Sequence, residues 1–258
     1  MTTPVKIAIA AVVLIIVAVA GWLLLRPAGT EAPPEVATAE PTVMPSPTPS
    51  LAERLSARLA GVTLATSDAV VRQLVAELSS RPELAAWLAS EDLVRRFVAS
   101  VHNVADGVSP KGHLEMLRPS EPFRVRQRDG RLTVDPASWR RYDPVAGVVA
   151  SLDVPGTVAL YRELEPLCDE AHREIAPPGQ VFRDRLVAAV DHLLAAPTPS
   201  EPAVVVEKVV TYTWADPRLE GLSAAQRQLL RMGPDNVTAV RSKLAELRAA
   251  LANAEASP

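Results

Sequence analysis

The feature that most constrains this chain is an apolar stretch close to its N-terminus. Residues 5–25 contain a single charged side chain, that of Lys6. As an α-helix, about 21 residues extend about 31 Å, which is the thickness of the hydrocarbon core of a bilayer. The stretch therefore predicts a transmembrane helix at residues 5–25, preceded by a short cytoplasmic N-terminus at residues 1–4.

A cleaved signal peptide is the alternative interpretation of the same stretch. Ala18-Val19-Ala20 has the small residues of a cleavage site, and cleavage would follow Ala20. The apolar run continues past that site to Leu25, and Trp22 lies where an interfacial anchor is expected. These two observations favour an uncleaved signal anchor.

The basic residues around the stretch predict its orientation. Lys6 and the amino terminus lie on one side of it and Arg26 on the other, with no further Lys or Arg until Arg54. Basic residues favour the cytoplasmic side of a membrane. We therefore expect a single pass through the inner (cytoplasmic) membrane, with the rest of the chain in the periplasm.

The segment at residues 26–50 has the composition of a linker. It is rich in proline, and most of its other residues are Ala, Thr, Ser and Glu. Such a segment cannot bury an apolar core, and at a limit of about 3.1 Å per residue it reaches up to about 75 Å. We expect a flexible, proline-rich linker that carries a globular domain at residues 51–254.

The composition of the chain favours helices in that domain. Hydrophobic residues make up 48% of the chain but aromatic residues only 4%, so the core consists mainly of Leu, Val and Ala. Apolar stripes with helical spacing recur, the clearest of them at Leu93, Phe97, Val98, Val101 and Val104. Capping residues predict helix starts at Ser67 or Asp68, Ser90, Asp135-Pro136, Ser223 and Pro234.

One further segment predicts a β-hairpin. Residues 123–134 alternate apolar and polar side chains around Asp129-Gly130, a pair that a tight hairpin turn requires. A second β-rich run lies at residues 203–214, and its sequence fits either strands or an extended arm. The predicted fold is therefore mainly α, a multi-helix globular domain with a small β-hairpin.

Charge and cysteine content exclude several kinds of partner and site. The formal net charge is −3, without the strong basic excess of a nucleic-acid-binding domain. Cys168 is the only cysteine, so neither an intrachain disulfide nor a zinc ribbon can form. Asp169 and His172 are spaced to face one metal ion from a helix, but scattered His and carboxylate side chains usually have structural explanations. We predict no metal site and no cofactor.

Known catalytic motifs do not occur in the sequence. It contains no GxSxG nucleophile turn, no HExxH zinc motif and no GxxxxGK[ST] phosphate loop. The side chains that remain as candidates for acid–base chemistry are Glu170, His172, Asp191 and His192. An enzyme that used them would need a cavity joining at least two of them.

Four arginines cluster on and around the predicted hairpin. Alternation places Arg124, Arg126 and Arg128 on one strand face, opposite to that of Val125, and Arg131 follows the turn. An ordinary solvated strand face is one interpretation of this pattern. The other is a binding patch for an anionic partner, such as a phospholipid head group or an acidic protein surface.

Several sequence blocks resemble a bacterial family known only as a domain of unknown function, DUF3014. The blocks are WLASEDL at 87–93, RRFV at 95–98, PFRV at 122–125, DPASWRRY at 135–142, DHLL at 191–194 and QLLRMGPDN at 228–236. They occur in order over most of the chain that follows the linker. The resemblance implies one recurrent, membrane-anchored unit, and it implies no activity and no catalytic residue.

The sequence thus indicates a domain that is held at a defined place near the membrane, and it does not indicate a catalytic site. An anchor and a linker hold a helical domain at a set distance from the membrane, and no site chemistry is visible. We expect a non-catalytic interaction or scaffold module in the bacterial envelope, whose partner is another envelope protein. The alternative is a periplasmic enzyme that uses the Asp/Glu and His candidates named above.

Overall fold

The computed structural model of the chain describes residues 49–199, 201–209 and 211–256. The predicted transmembrane helix at residues 5–25 and the short N-terminus before it lie outside the described residues. The same holds for all but the last two residues of the predicted linker. The described part is mainly helical with a small sheet, and this confirms the predicted fold class of the globular domain.

Eleven α-helices make up most of the described residues. They are α1 (Leu51–Leu59), α2 (Ser67–Ala76), α3 (Pro82–Trp87), α4 (Leu93–Ala105), α5 (Pro136–Arg140), α6 (Asp143–Ala150), α7 (Val154–Arg173), α8 (Phe182–Leu194), α9 (Pro217–Glu220), α10 (Ala224–Leu230) and α11 (Pro234–Ala256). Short 3-10 turns lie at Leu64–Thr66, Lys111–His113 and Glu115–Leu117.

Local sequence signals set many of the helix boundaries. Ser50 caps α1 and Ser223 caps α10, each as part of a capping box. The carboxylate of Asp135 accepts a hydrogen bond from the backbone N–H of Ala137 (2.8 Å) at the start of α5. Gly107, with a φ of 71°, ends α4 in the left-handed conformation that glycine adopts readily. The starts predicted at Asp135-Pro136 and Ser223 are confirmed.

Two prolines in the helical segments have different effects. Pro144 lies in the first turn of α6, so that a new helix begins just after α5 instead of continuing it. Pro166 lies inside α7, and the helix nevertheless runs unbroken from Val154 to Arg173. Pro144 therefore separates two helices, whereas Pro166 does not interrupt its helix.

Two hairpins form one antiparallel sheet. Its strands are β1 (Val125–Arg128), β2 (Arg131–Val134), β3 (Val204–Lys208) and β4 (Thr211–Trp214), in the order β1-β2-β3-β4. Asp129 and Gly130 have φ values of 51° and 72°, which are the positive angles of the predicted tight turn. The run at 203–214 is a second hairpin, so the extended-arm alternative is wrong.

The helices and one face of the sheet share a continuous core. Helix α4 packs against α7 and α8, and α11 packs against α6, α7 and α8. The half-buried ring of Phe97 meets the fully buried ring of Phe182 edge to face, with centroids 5.2 Å apart. The inner face of the sheet adds the buried side chains of Val134, Val205 and Trp214 to this core.

The described helices can be compared with the length and polarity of a membrane span. No single helix in residues 49–199, 201–209 and 211–256 is long and apolar enough to cross a bilayer. The consecutive helices Asp143–Ala150 and Val154–Arg173 reach that length and composition only together, and they meet at an angle of 87°.

Candidate functional site

The loop before α4 is held by two side chains of α2. The carboxylate of Asp68 accepts hydrogen bonds from the backbone N–H groups of Asp92 (2.7 Å) and Leu93 (2.9 Å). One turn later, Arg72 donates from Nε to the carbonyl of Leu88 (2.6 Å) and from Nη2 to that of Ser90 (3.0 Å). The loop therefore has its donors and acceptors satisfied by a neighbouring helix, which fixes its shape.

This arrangement corrects the predicted start of α4. Ser90 was expected to cap the helix, but its hydroxyl donates to the carbonyl of Trp87 (3.2 Å), and the helix begins three residues later at Leu93. Asp92 adopts a left-handed φ of 57°, which turns its own N–H toward Asp68. The prediction was wrong because the cap comes from a residue about 24 positions earlier in the chain, which no local pattern reveals.

A cavity of about 90 Å³ lies beneath this loop, between α2, α4 and α7. Its walls are apolar apart from a few hydroxyl, thiol and guanidinium groups. The lining comprises Val71, Val75, Trp87, Leu88, Ser90, Leu93, Val94, Arg96, Phe97, Leu114, Met116, Thr157, Leu160, Tyr161, Leu164 and Cys168. We call it the loop pocket.

The size of the loop pocket limits what it can hold. An apolar cavity of about 150 Å³ is known to hold one benzene molecule, so about 90 Å³ accommodates roughly one aliphatic side chain. Trp87, Leu93, Phe97 and Met116 are half-buried and mark its opening, whereas Leu160 and Cys168 are fully buried and form its floor. The shape is that of a socket for a single apolar group.

The polar groups of the loop pocket are not arranged for acid–base chemistry. Burial raises the pKa of the Tyr161 hydroxyl, and its nearest partner is Glu165 Oε1 at 3.5 Å. Burial also raises the pKa of the Cys168 thiol, and the nearby carboxylates of Asp169 and Glu165 raise it further. Both groups therefore stay protonated at neutral pH, and the thiol is a poor nucleophile.

Arg96 supplies the positive charge of the loop pocket. Its Nε donates to the carbonyl of Glu91 (2.7 Å) and its Nη1 to the carbonyl of His113 (3.2 Å). These bonds tie the start of α4 to the 3-10 turn at Lys111–His113, on the other side of the opening. The guanidinium is half-buried and sits beside apolar walls, where it favours an acceptor on a bound group.

A second, smaller cavity of about 20 Å³ lies next to the loop pocket. The two share Phe97, Thr157 and Tyr161 as lining residues. The remaining walls come from α7, α8 and α11, through Val158, Leu186, Val190, Leu247 and Leu251. It is too small for a ligand larger than one water molecule. It therefore adds no second binding site beside the loop pocket.

The four acid–base candidates lie away from both cavities, since none of them lines either one. Glu170 is exposed on α7. Asp191 forms an ion pair with Arg248 (3.0 Å), and His192 Nε2 lies 2.7 Å from the hydroxyl of Ser223. The cavity that the enzyme hypothesis requires is therefore not formed by these two pockets.

His172 is the most unusual of the four candidates. It is 1% exposed, and neither of its ring nitrogens has a hydrogen-bond partner among the described residues. Its ring packs 5.9 Å from that of His102 and 5.6 Å from that of Phe182. Burial lowers its pKa, and the proximity of His102 and Arg185 lowers it further, so the imidazole is neutral at neutral pH.

The predicted absence of a metal site can be compared with the described side chains. Within those residues, no group of three or more His, Cys, Asp or Glu side chains is placed to hold a metal ion. Asp169 acts on His172 only through its charge, which raises the pKa of His172 against the larger effect of burial.

The four arginines of the first hairpin are all exposed. Arg126 forms an ion pair with Asp135 (2.8 Å), whose carboxylate also caps α5. The pairing lowers the pKa of Asp135, chiefly through the hydrogen bond from Arg126. Arg128 and Arg131 lie directly opposite each other across the turn. Together with Arg124, they form a basic surface, and none of them lines the loop pocket.

The sequence did not reveal the loop pocket. Its lining residues on α4 and α7 repeat at helical spacing and look like an ordinary core stripe. The available signal is the small size of Thr157 and Cys168 on a face of α7 whose other members are Leu160, Tyr161 and Leu164. Small side chains on a buried helix face leave a cavity only where the neighbouring helices do not pack closer to fill the space. That depends on the tertiary packing.

Comparison with known proteins gives one match. The model of a family described as "Protein of unknown function (DUF3014)" matches residues 93–248, which is more than half of the chain. No curated protein matches the chain, and no solved structure matches it. The α4 and α7 walls of the loop pocket lie inside the matched range, whereas its α2 wall lies before it.

Proposed function

We propose that this chain, which belongs to the DUF3014 family of proteins of unknown function, is a membrane-tethered interaction module without catalytic activity. Its binding site is the loop pocket, which receives one apolar side chain of a partner protein in the bacterial envelope. The observation that carries the proposal is the pocket itself: a preformed apolar socket of about 90 Å³.

Preorganisation supports a binding role. The loop above the socket is fixed by two hydrogen bonds that Asp68 accepts and two that Arg72 donates, so that little conformational entropy is lost when a partner binds. Single apolar anchors that fill such sockets carry most of the binding free energy of many interfaces. Arg96 at the opening offers a donor to a carbonyl or carboxylate oxygen of the partner, which would fix its orientation.

The tether is the second part of the proposal. An apolar segment at residues 5–25 anchors the chain in the inner membrane, and the linker at 26–50 holds the domain on the periplasmic side. A linker with a reach of up to about 75 Å confines the domain near the membrane surface and raises its effective concentration toward membrane-bound partners. A weak socket interaction is then sufficient for stable association.

A photocrosslinking experiment on the full chain in bacterial cells tests the socket. Benzoylphenylalanine replaces Trp87 at the pocket opening, and the matched control carries it in place of Arg162 on the exposed side of α7. We expect one discrete adduct from position 87 and none from position 162. Mass spectrometry of the adduct identifies the partner and the side chain that was captured.

A pair of substitutions at the pocket floor links the adduct to the socket. Cys168→Met places a flexible side chain into the cavity, whereas Cys168→Ala leaves the cavity open. We expect Cys168→Met to abolish the adduct and Cys168→Ala to retain it, with both variants folded by circular dichroism. An adduct that survives in the filled variant, or the lack of any adduct at position 87, would overturn the proposed binding site.

The tether has its own test. The full chain should remain in the membrane fraction after alkaline carbonate extraction, with an intact N-terminus by mass spectrometry. A mature protein that begins at Gly21 and leaves the membrane on extraction would rule out the anchor without affecting the result on the socket.

A further inference from the structure

We propose that the outer face of the four-stranded sheet binds the surface of an anionic phospholipid membrane. This inference goes beyond the proposed partner-binding role and concerns a different part of the molecule. The outer face is defined by the side chains that alternate with the buried ones of the inner face. Its basic members are Arg124, Arg126, Arg128, Arg131 and Lys208.

The strand register places these residues on one side of the sheet. Directly paired residues point to the same face, and Arg126 pairs with Thr133 while Arg128 pairs with Arg131. Thr133 in turn pairs with Val204 of β3, whose alternation leads to Val206 and Lys208. The inner face carries the buried Val134, Val205 and Trp214, so the basic side chains point away from the core.

The acidic residues nearby neutralise this face only in part, because no described carboxylate forms an ion pair with Arg124, Arg131 or Lys208. Asp135 is paired with Arg126, and Asp129 lies at the turn, 3.8 Å from Arg128. Glu207 alternates to the inner side of the sheet. Arg128 and Arg131 are like charges in directly opposed positions, and only Arg128 has a carboxylate beside it. The pair therefore costs stability unless a further anion lies against Arg131.

Both hairpin turns lie at the same end of the sheet. Because β1 and β3 run in the same direction in this antiparallel order, the turn at Asp129-Gly130 and the turn after Lys208 project together. Val209 is 97% exposed on the second turn, and Val206 is 49% exposed between the basic residues. Apolar side chains flanked by cations are the pattern of a surface that lies at a lipid head-group layer.

A membrane fits this surface better than an acidic protein does. The basic side chains surround Thr133, which is itself buried, on a sheet face that ends in an exposed valine, and a second exposed apolar side chain lies among them. The anchor and linker also keep the face within reach of lipid, and in this respect the inference rests on the proposed function. Electrostatic attraction to anionic lipid then selects the orientation in which the sheet faces the bilayer.

The experiment uses the full chain in lipid nanodiscs. Val209→Cys introduces an exposed thiol, which can be labelled selectively because the native Cys168 is buried. A bimane label at this position reports contact with lipids that carry a doxyl quencher. Discs containing phosphatidylglycerol are compared with discs of phosphatidylcholine alone, at low and at high salt.

We expect strong quenching in the phosphatidylglycerol discs, weak quenching in the neutral discs, and loss of the difference at high salt. The triple substitution Arg124→Gln, Arg128→Gln and Arg131→Gln should lower the ratio of molecules whose sheet contacts the lipid to molecules whose sheet does not. The expected decrease is on the order of a hundredfold, because each basic residue contributes about fivefold. The triple substitution Lys111→Gln, Arg162→Gln and Arg173→Gln removes the same charge from exposed positions outside the sheet and should leave quenching unchanged.

Three outcomes separate this inference from the proposed tether. Equal quenching in both kinds of disc, with the chain incorporated in both, overturns the inference and leaves the tether standing. Association of the chain with the anionic discs alone would contradict the proposed membrane anchor and would support binding of the sheet to anionic lipid. Protection of the bimane label by added polyglutamate, without any response to phosphatidylglycerol, overturns the membrane assignment in favour of an acidic protein partner.

Discussion

The helical body and the sheet use arginine in opposite ways. In the body, Arg72 and Arg96 donate to backbone carbonyls of the loop before α4 and of the 3-10 turn at Lys111–His113, and they hold both around the loop pocket. On the sheet, the ladder already satisfies the backbone, and Arg128 and Arg131 extend into solvent. A basic side chain near irregular backbone therefore bonds to that backbone, whereas on a completed ladder it either pairs with a carboxylate, as Arg126 does with Asp135, or extends into solvent, as Arg131 does.

This difference has a measurable form. Changes in the body should lower the free energy of unfolding, because they remove bonds that shape the loop pocket or the packing around it. Changes to the arginines of the outer face other than Arg126, which pairs with Asp135, should leave stability almost unaltered and act on binding.

Gly233 should be the least tolerant position of the two regions. Its φ is 84°, and a Cβ placed there would lie 2.4 Å from Cγ of Trp139. Gly233→Ala should therefore lower the free energy of unfolding by about 3 kcal/mol or more, through backbone strain and steric overlap together. Gly130→Ala on the sheet is the matched control, because its φ of 72° is similar but nothing lies within 4 Å. Equal losses in urea unfolding would show that Trp139 moves aside.

Asp68 should matter more than its half-buried position indicates. Asp68→Ala leaves the backbone N–H groups of Asp92 and Leu93 without their acceptor and should cost about 2 kcal/mol in urea unfolding. Asp68→Asn retains one acceptor oxygen and should cost about half as much. The alanine variant should also weaken the crosslink from position 87, since the loop loses its fixed shape. A loss of stability with an unchanged crosslink would separate the cap from the binding site.

His172 should make stability depend on pH. Burial lowers its pKa below the ordinary 6.5, so below pH 6.5 the unfolded chain binds a proton that the native chain does not. The free energy of unfolding should therefore fall as pH decreases from 6.5, by up to about 1.4 kcal/mol per unit from this group. His172→Phe should remove this contribution, which urea titrations at several pH values measure. An unchanged slope in the variant would mean that the pKa of His172 is the same in the native and the unfolded chain.

Arg131→Gln should have the smallest effect on stability. It relieves a pair of like charges across the turn and should raise the free energy of unfolding by a few tenths of a kcal/mol. Arg126→Gln is the contrasting variant, because it removes the partner of Asp135 and should lower stability instead. Thermal unfolding of both variants at low salt measures the difference. The same sign for both would contradict the division between free and structural arginines within the sheet.

Much of the helical framework could be predicted from the sequence, because it depends on short-range chemistry. The signals act within a few residues of the chain. A proline in the first turn begins a helix, a serine with Gln226 three residues later caps one, and an Asp-Gly pair turns the backbone. The break near Pro144, the cap at Ser223 and the turn at Asp129-Gly130 follow from such signals.

What could not be predicted depends on residues far apart in the chain. Asp68 caps a helix about 24 residues away, and Ser90, the local candidate, has no such role. The loop pocket arises where three helices fail to close around small side chains, which no stripe pattern reveals. The exposure of Arg128 and Arg131 was foreseen, but their direct opposition to each other became clear only from the register of the hairpin.

The sheet consists of two hairpins that are about 70 residues apart in the chain, with four helices between them. Each hairpin needs only a short loop and can form within microseconds, but the ladder between β2 and β3 closes a long loop for two residue pairs. We therefore expect this joint to assemble late in folding. A nascent chain that has emerged only as far as α8 would carry β2 with a bare edge, so the period before β3 arrives is when intermolecular strand pairing is the greatest hazard.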